Sequence, residues 1–151
     1  MQITLSQKER MLLEDQKSHE QICIEKYSNY ANQAQDIQLK QICKTNEQIE
    51  RTHLDTINQL LSGNIPQMNQ NQNPVQNVNT TATVVSNISD KDMCSDLLMT
   101  EKYVSGAYDT TIFEFRDTNV RDVLNHIQKE EQKHGEAIFQ YMESKGMYNV
   151  Q

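Results

Sequence analysis

Apolar residues recur at helical spacing over most of the chain. Between about Ser6 and Gln33, Leu13, Cys23, Ile24, Tyr27 and Ala31 form one stripe separated by polar positions, which predicts a helix because residues three and four apart share a face. Ser6 followed by Glu9 is a capping-box pattern for its start. A second helix is predicted over 36–62, with Asp36 as its N-cap, Leu39, Ile42, Cys43, Ile49, Ile57 and Leu60 on its stripe, and Gly63 as a stop signal. Residues 63–89 contain both prolines and many Asn and Thr and show no helical period, so they read as a connection. Helix three is predicted over 90–115, opened by Ser89 or Asp90 and carrying Leu97, Val104, Tyr108 and Ile112. Helix four is predicted over 119–145, with Val120, Val123, Leu124, Ile127, Ile138 and Met142 inward. The expectation is an all-α four-helix bundle in a single domain over 1–151, built from two hairpins. A connection this long suits a crossover from one end of the bundle to the other, a span of roughly 40 Å at 1.5 Å per helical residue. The alternative, two hairpins on a tether, leaves an apolar face of each exposed.

Composition narrows the function. The 151 residues include 21 acidic and 14 basic side chains, a net charge of -7, which argues against a nucleic-acid surface or a polybasic membrane patch. An acidic excess suits cations. The three cysteines, Cys23, Cys43 and Cys94, are an odd number with no C-x-x-C pair, so neither a disulfide framework nor a thiolate zinc site is expected, and Cys23 and Cys43 read as small core residues. The N-terminus lacks an apolar signal region and no apolar run reaches membrane-spanning length, so neither classical secretion nor membrane insertion is expected.

The candidate chemistry is a repeat. Helix two contains Glu50-Arg51-Thr52-His53 and helix four Glu131-Gln132-Lys133-His134, two Glu-x-x-His motifs 81 residues apart. Each presents a carboxylate and an imidazole on one face. The same offset carries Glu20 onto Glu101 and Tyr27 onto Tyr108, and carries Leu39, Ile42, Cys43 and Ile57 onto apolar partners. The hairpins therefore read as a weak internal repeat. Glu20 and Glu50 are equidistant from residue 35, and Glu101 and Glu131 from residue 116, each about 22 Å from its turn, which places all four at mid-height. Four carboxylates facing inward repel one another and lose hydration, and two divalent cations offset both costs. The predicted ligands are Glu20, Glu50, His53, Glu101, Glu131 and His134, and mixed carboxylate and imidazole donors suit two iron or two manganese ions. Tyr27 and Tyr108 are read either as hydrogen-bond partners of the ligand carboxylates or as core tyrosines. His19 and His126 fall off the ligand face, Glu130 is expected to be solvated unless a carboxylate shift recruits it, and Lys129, Lys133 and Glu136 read as wet surface.

The Glu and Glu-x-x-His repeat, with the crossover, resembles the ferritin-like superfamily, which includes bacterioferritins, rubrerythrins and manganese catalases. Residues 90–148 are similar to the Coat F domain of spore coat proteins, on DLLMTEKYVSGAYDTTIFEF, HIQKEEQKHGEAIFQYMESKGMY and the terminal Gly146-Met147-Tyr148. The resemblance implies a ferritin-like coat component made in the mother-cell cytoplasm and deposited on the spore, with other coat proteins or further copies of itself as partners. A rubrerythrin's paired C-x-x-C motifs are missing from the sequence. Two functions remain open: a structural coat protein clamped by a dinuclear metal centre, or a di-metal oxidoreductase, like manganese catalase or a ferroxidase, protecting the spore from peroxide. A third option is an interaction module with an empty site.

Overall fold

The computed structural model describes residues 1–67 and 88–151. Among these residues the architecture is four helices: α1 (Gln7–Gln33), α2 (Ile37–Leu61), α3 (Asp90–Glu114) and α4 (Thr118–Ser144). Each begins at a side chain that satisfies otherwise orphaned backbone donors. Ser6 accepts from the Glu9 N–H while the Ser6 N–H donates back to the Glu9 carboxylate, closing the capping box. Asp36, Ser89 and Asp117 cap the other three. α2 and α4 end in the same way. Gly63 (φ +82°) and Gly146 (φ +68°) adopt the left-handed conformation, and the N–H of Asn64 reaches Gln59 O as that of Met147 reaches Met142 O, a Schellman closure in each case.

Contacts at the two ends define the direction of each helix. At one end the chain start pairs with the end of α2, Ile3 N–H donating to Gly63 O at 2.8 Å and Ile65 N–H to Met1 O at 3.0 Å. The Arg116 guanidinium, after α3, meets Glu9 there at 3.2 Å. At the other end Asp90, opening α3, accepts from the N–H groups of Gln35 and Asp36 in the α1–α2 turn, both at 2.9 Å. Tyr141, near the end of α4, donates to Asp36 there at 2.9 Å. The order is therefore up, down, down, up. α2 finishes at one end and α3 starts at the other, so the connection between them begins and ends on opposite sides of the bundle. Most of the expected crossover over 63–89, residues 68–87, lies outside the described residues.

The hairpins pack on each other rather than standing apart, α1 against α3 and α2 against α4. Lys26 of α1 bridges Asp96 of α3 at 3.0 Å, and Gln16 donates to Thr111 in the interior at 3.2 Å. Two apolar clusters fill the bundle. One, near the chain start, includes Leu13, Ile57, Leu60, Val104, Phe115, Val120 and Leu124. The other, near the α1–α2 turn, includes Ala31, Leu39, Cys43, Met93, Leu97, Ile138 and Met142. Between them lies a buried layer of charged side chains.

Glu9 ties the capping box to the second hairpin. Its side chain is only 4% exposed. Burial pushes the carboxyl upward, but the Arg116 guanidinium and the backbone N–H groups of Ser6 and Arg116 outweigh that and bring it down to about 2. A group whose folded value is depressed stabilises the fold above its unfolded value and loses that contribution as pH falls through the folded one. Stability should therefore decline between about pH 4.5 and about pH 2. Glu9→Gln should cost roughly 1–3 kcal/mol at neutral pH and flatten that acid limb, as read by urea unfolding across pH.

Candidate metal centre

All six predicted ligands are buried, none more than 3% exposed. They come together. Glu20, Glu50, His53 and Glu131 form one group whose donor atoms lie within 4.8 Å of one another, and Glu50, Glu101, Glu131 and His134 form a second on the same criterion. Glu50 and Glu131 belong to both. The His53 Nδ1 lies 3.0 Å from Glu50 Oε2, 3.2 Å from Glu131 Oε1 and 3.7 Å from Glu20 Oε2. The His134 Nδ1 lies 3.3 Å from Glu50 Oε1, 3.3 Å from Glu131 Oε2 and 3.6 Å from Glu101 Oε1. Each shared carboxylate thus turns one oxygen to each imidazole, and the two rings stack with centroids 5.8 Å apart.

Local helix geometry produces this arrangement. Glu and His three apart project from the same side of α2 and of α4, while Glu20 and Glu101 continue the inward stripes of α1 and α3. The two tyrosines act across the bundle rather than along their own helix. Tyr27 of α1 donates to Glu101 of α3, and Tyr108 of α3 donates to Glu20 of α1. Because α1 and α3 are antiparallel, the two phenols reach the carboxylate layer from opposite sides, Tyr27 from the cluster near the α1–α2 turn and Tyr108 from the cluster near the chain start.

The electrostatics follow from burial. Loss of hydration, reinforced by the neighbouring carboxylates Glu50 and Glu131, holds the Glu20 and Glu101 carboxyls well above their ordinary range. Burial pushes Glu50 and Glu131 upward too, but the two imidazoles outweigh it and bring both below that range. Burial disfavours the imidazolium forms, yet the surrounding carboxylates raise His53 well above its usual value and His134 to about 11. Burial and carboxylate charge also raise the Tyr27 and Tyr108 phenols, so both remain protonated donors.

The donor set fits two divalent cations. Metal bonds of about 2.1 Å at right angles set neighbouring donors about 3.0 Å apart, close to the imidazole–carboxylate separations of 3.0 to 3.3 Å. Four carboxylates carry the charge that two divalent cations would neutralise. Ion-pair contact does not complete the set: among the described residues Glu20 Oε2, Glu50 Oε1, Glu101 Oε2, both Glu131 oxygens and both His134 nitrogens make no hydrogen bond. Buried polar atoms left in that state are costly. The cluster could therefore hold a metal.

Some neighbours depart from the sequence expectations. Glu130 is not simply solvated. It is half-buried, and its Oε2 lies 2.8 Å from His53 Nε2. Asn46, unremarked in the sequence, donates to the Tyr27 oxygen at 3.3 Å. The repeat could not flag either residue, because 81 positions away stand Ile49 and Ile127. His126 is about half exposed and lies 3.4 Å from Glu130, and His19 packs edge-on against Tyr103. Lys129, Lys133 and Glu136 are exposed. All three cysteines are free and buried, and burial beside the carboxylates pushes the Cys23 thiol far up. No helix among the described residues is long and apolar enough to cross a membrane.

Fold and site together define a four-helix bundle with a buried Glu/His cluster suited to cations. Residues 89–151, which contain α3, α4 and three of the six candidate ligands, match the Coat F domain family. The chain is 32% identical over 84 residues to YusN of Bacillus subtilis (strain 168), an uncharacterized protein, the matched stretch covering 56% of this chain and 76% of that one. The chain belongs to the Coat F domain family. No solved structure matches it.

Removing either phenol leaves a buried carboxyl without its donor. Tyr108→Phe and Tyr27→Phe should each lower the unfolding free energy of metal-free protein by roughly 1–3 kcal/mol, measured by urea denaturation in the presence of a chelator.

Proposed function

We propose that this protein is a spore coat component whose ferritin-like bundle, a single domain, holds two divalent cations, iron or manganese, through Glu20, Glu50, His53, Glu101, Glu131 and His134. The observation that carries the reading is the convergence at mid-height of buried carboxylate and imidazole atoms, several of them without a hydrogen bond. Glu50 and Glu131 serve as the shared ligands, since both belong to both donor groups. Glu20 with His53 completes one position, and Glu101 with His134 the other. Such a pattern, one Glu from each of two helices and one Glu-x-x-His from each of the others, is that of ferritin-like di-iron and di-manganese carboxylate proteins. The up, down, down, up order of the helices supports the same likeness. Membership of the Coat F domain family supports the coat location, which entails synthesis in the mother cell and contacts with other coat proteins or further copies of this chain. In this reading the cations clamp four helices whose middle layer is otherwise held together by partly paired charge.

A second reading, oxidoreductase activity toward a small oxidant such as peroxide, is favoured by one observation. A groove between α3 and α4, lined by Leu98, Ser105, Lys129, Gly135 and Phe139, extends to Glu101 and Glu131. Bound iron or manganese supplies redox equivalents there. The chain's own contribution is to hold the ligand carboxylates in register through Tyr27 and Tyr108 and to admit a small molecule along the groove.

Elemental analysis of protein from its native source should find about two iron or manganese per chain, consistent with a dinuclear ligand set. Chelation should lower the melting temperature by roughly 5 to 10 °C per site occupied at a hundredfold excess over its Kd. Glu50→Ala or Glu131→Ala should abolish both sites, whereas Glu20→Ala or Glu101→Ala should leave one. Metal-free protein, with no rise in melting temperature on adding iron or manganese, would refute the metal reading. Peroxide disproportionation and ferrous oxidation by fully loaded protein distinguish the two functions: turnover establishes the enzyme, and its absence at full occupancy leaves the structural clamp.

A further inference from the structure

The two halves of the cluster are related by the 81-residue offset, but their surroundings are not. His53 has both ring nitrogens engaged. Its Nδ1 faces the shared carboxylates, and its Nε2 lies 2.8 Å from Glu130 Oε2. Glu130 is itself steadied from outside, its Oε1 lying 3.4 Å from His126 Nε2. A chain of three side chains therefore runs from the half-exposed His126 through the half-buried Glu130 to the fully buried His53. His134 has no such support. Its Nε2 is buried without a hydrogen-bond partner among the described residues, and the edge of its environment is the Tyr27 ring, 6.1 Å away between centroids. The position equivalent to Glu130, 81 residues earlier, is Ile49, whose side chain can accept no hydrogen bond.

An imidazole that donates its outer N–H to a carboxylate is fixed in the tautomer and orientation that present the inner nitrogen to a cation, and its basicity rises. One lacking that partner must be oriented by packing alone. We propose, building on the dinuclear reading above, that Glu130 is a positioning residue that makes the two cation positions unequal, so that the Glu20/His53 position fills first and the Glu101/His134 position second. The asymmetry lies outside the ligand set. A chain with six matched ligands thus has one tight and one looser position, and the α3–α4 groove is lined by Glu101 of the looser one and by the shared Glu131.

The test is calorimetric titration of metal-free full-length chain with Mn(II). Wild type should bind in two resolved steps. Glu130→Ala should weaken the first step by roughly 10- to 100-fold and merge the two, and it should also lower the melting temperature of the metal-free protein, because the buried His53 Nε2 loses its acceptor. Glu130→Gln, whose carbonyl can still accept from His53 Nε2–H, should restore most of the loss. Ile49→Glu should tighten the second step by supplying His134 with the missing partner. Single-site backgrounds assign the effect: Glu130→Ala should weaken Mn(II) binding when combined with His134→Ala and not when combined with His53→Ala. Two equal steps in wild type, or equal weakening in both backgrounds, would overturn this proposal and leave the dinuclear reading intact. No uptake of Mn(II) or of Fe(II) by wild type would overturn both.

Discussion

Four carboxylates are enclosed at mid-height in a bundle that has little water to offer them, and the remaining structure is organised around that constraint. A glutamate in an apolar interior loses hydration worth several kcal/mol and repels every other carboxylate in the layer. Here Glu20, Glu50, Glu101 and Glu131 sit together with two imidazoles and two phenols. The apolar core is divided into one cluster on each side of this layer rather than running through it. Protons can balance the charge, as the raised Glu20, Glu101, His53 and His134 values indicate. Yet protons leave several donors without hydrogen bonds, and cations would engage them.

Antiparallel and parallel packing determine which residues can meet. With α1 and α3 antiparallel, Tyr27 and Tyr108 exchange partners across the bundle, each holding the glutamate of the other helix. α2 and α4 are also antiparallel, which sets His53 and His134 on opposite sides of the shared carboxylates, one imidazole for each donor group. The up, down, down, up order is required for this arrangement. It also explains a long connection between α2 and α3, because their facing ends lie at opposite extremes of the bundle. The ends themselves are held by polar contacts, Asp36 and Asp90 at one and Glu9 with Arg116 at the other.

Structural and redox roles would use the same ligands, so what separates them is access. The layer is closed to bulk solvent, and the α3–α4 groove is lined in part by two of its residues, Glu101 and Glu131. The His126–Glu130–His53 chain approaches from the α2–α4 side. The groove borders Glu101 and the shared Glu131, whereas the side-chain relay ends on His53, so the two donor groups have different surroundings.

Much of this was readable along the chain. Helical periods, the Ser6–Glu9 capping box, the Asp36 cap and the Gly63 stop depend on residues within one turn of each other, where local geometry dictates the outcome. The repeat of Glu and Glu-x-x-His also marked the six cluster residues, since equal distances from two turns imply equal heights. Tertiary packing alone decided the rest: that Tyr27 pairs with Glu101 rather than with its own helix's glutamate, that Glu50 and Glu131 face both imidazoles, that Asn46 stands behind Tyr27, and that Glu130 turns toward His53. Periodicity assigns a residue to a face of its own helix, but not to the neighbour and height that face will meet. Glu130 lies at the margin of its stripe, where a small rotation of the helix separates solvent from a buried imidazole, and only the packed bundle sets that rotation.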